Sequence, residues 1–397
     1  MNRGLKSIFH NSRRVLAKIW LIFHRKVEVI GVTGSYGKTN TALAIATVLA
    51  EKFKVLQTDI NLDTRFNIPI TVLKLGDHQK LVLEYGIDLP REMDYHLFVA
   101  RPKIAVITGI TPVHADSAHL GSLEKIIKEK GKLASAVPKR GWVIINWDDQ
   151  NARAVAEGAK AKVIFYGRNR YKCQFWASHV KTSFKGTTFL IHFQGVSHTV
   201  KISLIGRHHV STAMAAIIVG TIAGMKWREI AAGLEKLIPL DGRGNIEPGP
   251  KETVILNDSR RANPASTVAG LQTLADLSAK RKIAVLGEMG ELGRYEEEFH
   301  RCVGRKAAET RPDYLVCVGG ATKYIAEEAR KGMKKEKVIW VKDVFEAAGA
   351  LSGILQKGDL WYLKGSLLKH VERIPLIIEG KDVDPDEVAS KRYEVYR

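Results

Sequence analysis

The stretch "GVTGSYGKTNT", residues 31–41, follows the apolar run "VEVI" and precedes "ALAIATVLAEKF", which reads as a helix. Strand, glycine-rich turn and helix in that order make a phosphate-binding loop, in which backbone N–H groups and a helix N-terminus face an anion. Gly34 and Gly37 supply the tight turn, with Ser35, Tyr36 and Asn40 completing the loop around them. In this pattern Lys38 reaches the β and γ phosphates and the Thr39 hydroxyl binds Mg²⁺. The first glycine is displaced, however. Gly31 stands one residue too early for G-x-x-x-x-G-K-[ST], because Val32 holds the expected place.

Working outward, short β-branched runs alternate with helical stretches: "KVLQTD", "KLVLEYG" and "KIAVITGI" follow the loop at intervals. That rhythm predicts an α/β fold with a mostly parallel sheet. Residues 163–205 break it, alternating apolar and polar positions around Gly186 and Gly195 as antiparallel hairpins do. After the Gly/Pro-rich "IPLDGRGNIEPGPKE" a second alternation begins with "TVILND", "KIAVLGEM", "YLVCVGG", "KVIWV" and "DLWYLKG". The expected layout is a basic helix over residues 1–26, a nucleotide-binding domain over 27–240 and a second α/β domain over 241–397.

A chain of 397 residues, 45% hydrophobic and 26% charged, suits a globular protein of two domains. Cys173, Cys302 and Cys317 are odd in number and far apart, so neither a disulfide framework nor a metal knuckle is indicated, and a reducing cytosol is the simplest compartment. The net charge of +20 admits nucleic acid, an anionic membrane surface or anionic substrates as partners. No helix-turn-helix, aromatic RNP-like strand or zinc finger is readable, so nucleic acid is not expected.

Part of that charge is concentrated at the front. Residues 1–26 carry Arg3, Lys6, Arg13, Arg14, Lys18, Arg25 and Lys26 and no acid. At about 100° per residue, Leu5, Ile8, Phe9, Val15, Leu16, Ile19, Trp20, Ile22 and Phe23 share one face. The longest apolar run, "IWLIF", is too short to span a bilayer, and no cleavage site follows it. Two readings stay open: a helix packing its apolar stripe on the protein body, or an interfacial helix in peripheral contact with the membrane.

Glu84 ends the strand "KLVLE", where a carboxylate at the carboxyl edge of a parallel sheet faces the ligand crevice and suits Mg²⁺. His114 in "TGITPVHAD" follows the next strand at an equivalent edge, as a ligand or as a structural histidine. Beyond single residues, the ordered motifs "VTGSYGKTNT", "LVLEYGIDLPREMDY", "TGITPVHAD", "VIINWDD", "LIGRHHVSTAMAA", "NDSRRANPAS", "KIAVLGEMGELG" and "LKGSLLKHVERI" resemble the Mur ligase family, in its D-alanyl-D-alanine-adding branch, over residues 27 to about 380.

The family's loop has the form T-G-x-x-G-K-T with an earlier glycine, which accounts for Gly31. The resemblance implies an ATP-dependent amide ligase working through an acyl phosphate, with ATP and Mg²⁺ as cofactors and a C-terminal Rossmann-like domain bringing the amine. It places Mg²⁺ ligands on Thr39, Glu84 and His114, and a carbamylated lysine on Lys130, with Lys128 as the neighbouring alternative. It also assigns nucleotide contacts to Arg243, Asp258, Arg260 and the position of His209. The implied partners are a UDP- or lipid-linked cell-wall peptide precursor and D-Ala-D-Ala or an amino acid.

Several positions depart from the family. His209 and Thr212 replace asparagines, Leu367 replaces an arginine, and "DINLDTRFNIPITVL" lacks an N-N-E motif. Twenty-six residues are too few for the family's UDP-binding front domain, so the acceptor is expected either to lack UDP or to be recognised by another protein. Alternatives are a relative acting on another amino acid, as in folylpolyglutamate or cyanophycin synthesis, and a silent nucleotide-binding module.

Overall fold

A computed structural model describes residues 3–59, 64–113, 115–116, 119–366 and 369–383, with side chains for all of these except 3–9, 64 and 65. His114 and Leu367 lie outside the described residues.

The apolar runs on either side of the phosphate loop become adjacent strands of a nine-stranded sheet. Its strands are β1 (Glu28–Thr33), β2 (Val55–Gln57), β3 (Lys80–Glu84), β4 (Ile104–Ile107), β5 (Trp142–Asn146), β6 (Lys162–Gly167), β7 (Phe175–Ser183), β8 (Gly186–Phe193) and β9 (Val196–Ile202). The order is β2-β3-β1-β4-β5-β6-β7-β8-β9, with every pairing from β2 to β7 parallel and the last two antiparallel. The antiparallel part therefore starts at β7, later than the expected break at residue 163. Val163 sits in β6, a short β-branched run whose period alone does not reveal its direction.

Because the parallel strands are buried on both faces, they read as continuous apolar runs rather than alternations. Ile30, Val32, Val82 and Ile104 pack under α2 (Lys38–Leu49) and two later helices, α7 (His209–Ile222) and α8 (Trp227–Glu235), while Val29, Leu81, Leu83 and Ala105 pack on the opposite side. That second side is covered by α1 (Arg3–Phe23), α3 (Thr64–Leu73), α4 (Glu92–Val99), α5 (Leu123–Ser135) and α6 (Gln150–Ala154). Helices α7 (His209–Ile222) and α8 (Trp227–Glu235) complete the first half.

The second sheet runs β10-β11-β15-β12-β13-β14, built from β10 (Asn245–Gly249), β11 (Thr253–Asn257), β12 (Lys282–Gly287), β13 (Tyr314–Val318), β14 (Val338–Val341) and β15 (Leu360–Lys364). Its faces are covered by α9 (Pro264–Asp276), α10 (Glu296–Thr310) and α11 (Lys323–Ala329) on one side, and α12 (Val344–Ile354) and α13 (Ile374–Ile378) on the other. Strand β10 falls inside the Gly/Pro-rich segment read as a connection. Among the described residues it pairs with β11 alone, and an edge strand tolerates Pro248 because one side needs no N–H donor.

Helix α1 docks with Ala17 and Leu21, opposite the outward apolar residues, turned inward. Ala17 is fully buried and Leu21 partly so, while Arg14 and Lys18 lie over the rings of Tyr95 and Phe98 at 4.5 and 4.0 Å. His10 stacks on Phe66 at 4.1 Å, and the Trp20 indole donates to the Leu75 carbonyl at 3.1 Å. The apolar residues Val15, Leu16, Ile19, Ile22 and Phe23 face outward. Of the two readings of the stripe, packing on the body is not the one that Val15, Leu16, Ile19, Ile22 and Phe23 follow. Alanine and two cations held over aromatic rings fill the narrow contact with α3 and α4 instead.

The displaced glycine belongs to β1 rather than to the loop. Gly31 pairs with Leu83 and Ala105, and a Cβ there would stand 2.9 Å from the Tyr85 ring and 3.3 Å from Leu133. Gly31→Ala is expected to lower stability by about 1–3 kcal/mol through overpacking. Gly76→Ala, where a Cβ would meet nothing within 4 Å, should change it by less than about 0.5 kcal/mol. Urea unfolding of both variants checks the difference.

Candidate active site

Residues 34–37 leave β1 and turn into α2, with Gly34 at φ 155° and Gly37, the residue before the helix, at φ 72°. Gly34 is further constrained by space, since a Cβ would lie 2.0 Å from the Thr108 hydroxyl. The loop is fastened to the chain leaving β4. Ser35 N–H donates to Gly109 O at 2.7 Å, and the Thr108 hydroxyl donates to Tyr36 O at 2.6 Å. The Ser35 hydroxyl donates to Thr111 O and accepts from Thr111 N–H, while the Tyr36 hydroxyl donates to Asp149 at 2.7 Å. Ser35 and Tyr36 line the cavity, but their side chains brace the loop.

The loop borders a cavity of about 1110 Å³ into which both sheets contribute residues. From the first come Lys38, Thr39, Asn40, Glu84, Asp88 and His209; from the second come Arg243, Asp258, Arg260, Arg261, Lys364 and Ser366. Burial lowers the pKa of Lys38, with Arg261 and Arg243 acting in the same sense and Glu84 and Asp88 opposing them. Burial likewise lowers that of Arg243, aided by Arg261, and its Nε is buried without a hydrogen-bond partner. Several cations thus face one cavity with an unmet donor among them. Such a site fits a polyanion.

Glu84 stands at the edge of β3 beside Val32 of β1, and its backbone N–H donates to the Thr58 hydroxyl at 3.1 Å. Thr39 and Glu84 give the hydroxyl and carboxylate that Mg²⁺ accepts when phosphate oxygens and water fill its remaining positions. Among the described residues there is no cluster of three His, Cys, Asp or Glu able to hold a metal without such help.

Lys130 on α5 is 1% exposed and is not one of the residues lining the cavity. Burial brings its pKa down to about 7, and the charge of Lys38 pushes in the same direction against Asp88, Glu84 and Glu129. A good share of this amine is therefore neutral near pH 7, which is the form that reacts with CO₂. Lys128, the neighbouring alternative, is exposed on α5.

Asp258 has a partner that sequence reading missed. The Lys364 ammonium donates to its carboxylate at 2.6 Å and the Tyr362 hydroxyl at 3.2 Å. Strands β11 and β15 run side by side with Asn257 opposite Leu363, so the residues just beyond them meet. The lysine at the end of "DLWYLKG" was the available signal. Arg261, adjacent to the singled-out Arg260, and Thr108 and Asp149, which hold the loop, were missed as well. Arg260 is positioned by its N–H on Gly242 O at 3.1 Å.

His209 begins α7, is 2% exposed, and burial holds its pKa far below the usual imidazole range. It is neutral at pH 7, and its Nδ1 has no hydrogen-bond partner. Thr212, buried one turn on, also borders the cavity.

Two family models match this chain, the Mur ligase middle domain over residues 32–220 and the Mur ligase glutamate ligase domain over residues 242–367. The chain belongs to the Mur ligase family. It is 33% identical over 350 residues to the "UDP-N-acetylmuramoyl-tripeptide--D-alanyl-D-alanine ligase" of Bacillus subtilis, covering 87% of this chain and 75% of that one. A crystal structure of MurF from Acinetobacter baumannii superposes with a TM-score of 0.84 at 26% identity, covering 94% of this chain and 81% of the other. MurF from Thermotoga maritima in complex with ADP shares the fold at a TM-score of 0.82 and 22% identity, covering 96% and 84%.

Removing one partner of the Asp258–Lys364 pair leaves a buried charge unmatched. Asp258→Ala should cost about 3 kcal/mol of stability, and Asp258→Ala with Lys364→Met should recover most of it. Denaturant melts of the single and double variants test this.

Proposed function

We propose that this protein forms an amide bond at the expense of ATP, joining D-alanyl-D-alanine to the terminal carboxylate of a muramoyl peptide. The observation that carries the reading is the shared cavity, where the phosphate loop and Glu84 of the first sheet face Arg243, Asp258, Arg260 and Lys364 of the second. The named activity of the Bacillus subtilis relative supplies the substrates.

A carboxylate oxygen of the acceptor attacks the γ-phosphorus, the bond to the β–γ bridging oxygen breaks, and ADP leaves an acyl phosphate. The free amine of the dipeptide then attacks the acyl carbon, phosphate departs with its oxygen, and the amine loses a proton. Two anions must approach in the first step. Lys38 and the loop amides draw the γ-phosphate forward, while Arg243 and Arg260 offset charge on the nucleotide.

Thr39 and Glu84 would hold one Mg²⁺, with His114 and Lys130, as its carbamate, serving a second. Mg²⁺ when bound supplies charge neutralisation at the phosphate oxygens. Lys130 becomes a ligand by attack of its neutral amine on CO₂ with loss of one proton, which turns a buried cation into a carboxylate-like anion. The neutral His209 offers one donor and one acceptor to a nucleobase. Closure of the two halves keeps water from the acyl phosphate until the amine arrives.

The carrier of the acceptor, UDP or a lipid, is resolved by assay. Phosphate release from ATP is measured with UDP-linked and lipid-linked muramoyl tripeptides plus D-Ala-D-Ala, with the product mass determined. Release dependent on both acceptor and dipeptide is expected. Lys38→Ala and Lys130→Ala should each lower kcat by about 10²–10³, and acetate should partly restore Lys130→Ala alone. Release indifferent to acceptor, with Lys130→Ala unchanged, overturns the reading.

A further inference from the structure

From the orientation of α1 we infer that this protein docks on an anionic lipid surface through the outward stripe Val15, Leu16, Ile19, Ile22 and Phe23. These positions recur every three or four residues, so they form one continuous line along the helix. Leu16 is 57% and Phe23 78% exposed, whereas Ala17 and Leu21, on the other side of the helix, carry the contact with the protein body. No helix among the described residues is long and apolar enough to cross a membrane. An amphipathic helix lying in the interface with its apolar side down is the arrangement that remains for a lipid partner.

Charge selects the occupant. Arg13 borders the stripe on one side of the helix and Lys18 on the other, Arg25 and Lys26 follow the end of the helix, and residues 1–26 contain no acid. Long basic side chains flanking an apolar line reach lipid phosphates while their stems stay on the apolar surface. A second copy of the chain is the poorer match, because a two-fold contact through α1 would set the same cations against one another. Anionic headgroups attract the same charges. Tyr95 and Phe98 on α4, half-exposed beneath Arg14 and Lys18, widen the apolar surface beside the stripe.

Docking in this orientation has a consequence for the cavity. His10 stacks on Phe66, and the adjacent Asn67 lines the cavity, so α1 runs from the foot of β1 up to the cavity rim. A membrane touching α1 lies alongside the opening. This inference rests on the placement of α1 alone and is tested without nucleotide or acceptor.

The full chain is floated with phosphatidylcholine vesicles, with and without about one-third phosphatidylglycerol, at ~50 mM and ~500 mM salt. Binding to the anionic vesicles, weakened at high salt, is expected. The triple variant Leu16→Glu/Ile19→Glu/Phe23→Glu, altered only at exposed positions, should bind at least about tenfold less while keeping its circular dichroism spectrum and thermal midpoint. Arg25→Gln/Lys26→Gln should lose the preference for anionic over neutral vesicles. No binding at low salt, or equal binding by the triple variant, overturns the inference. So does sedimentation showing that the stripe mediates self-association without vesicle binding.

Discussion

Strand β1 is held between β3 and β4, parallel to both, and that pairing sets the phosphate loop beside Glu84. The chain leaves β1 at the edge where β3 presents Glu84 and where β4 continues into Thr108 and Gly109. Hydrogen bonds from Ser35 and Thr108 then hold the loop in one shape. The approach is so close that position 34 admits no side chain, and position 31 is filled by the Tyr85 ring. Glycine at these two places is a matter of space first and of turn geometry second.

A loop fixed in this way leaves its cations little freedom to move apart. Two unit charges about 4 Å apart at an effective dielectric near 20 interact by about 4 kcal/mol. Burial lowers the pKa of Lys38, while Glu84 and Asp88 hold its charge against Arg261 and Arg243. Asp258 and Lys364 form a settled pair by comparison, matched within the second sheet.

The N-terminal helix shows how a pattern can be read correctly and its direction left open. The wheel separates apolar from basic residues, and a helix forms over the expected segment. Apolar periodicity says that a face seeks burial; it does not say against what. The contact with α3 and α4 is narrow and rimmed by Tyr95 and Phe98, whose faces attract cations, so Ala17 enters while Arg14 and Lys18 close over the rings. The larger apolar residues are left to the outside.

By itself the sequence determined the α/β class and the strand, glycine turn and helix of residues 28–49, and it singled out Lys38, Thr39 and Glu84, which line one cavity, because local period and glycine spacing depend on neighbouring residues only. The ordered motifs carried the family as well. What only the tertiary structure decided are relations across the chain: Asp258 meeting Lys364 through β11 and β15, Thr108 and Asp149 bracing the loop, and Lys130 brought down to a pKa of about 7 in a site walled off from water. Burial and strand register join residues far apart in sequence. A pattern confined to one segment carries no trace of the partner: the spacing that sets Gly31 ahead of the loop does not show that the Tyr85 ring stands against it.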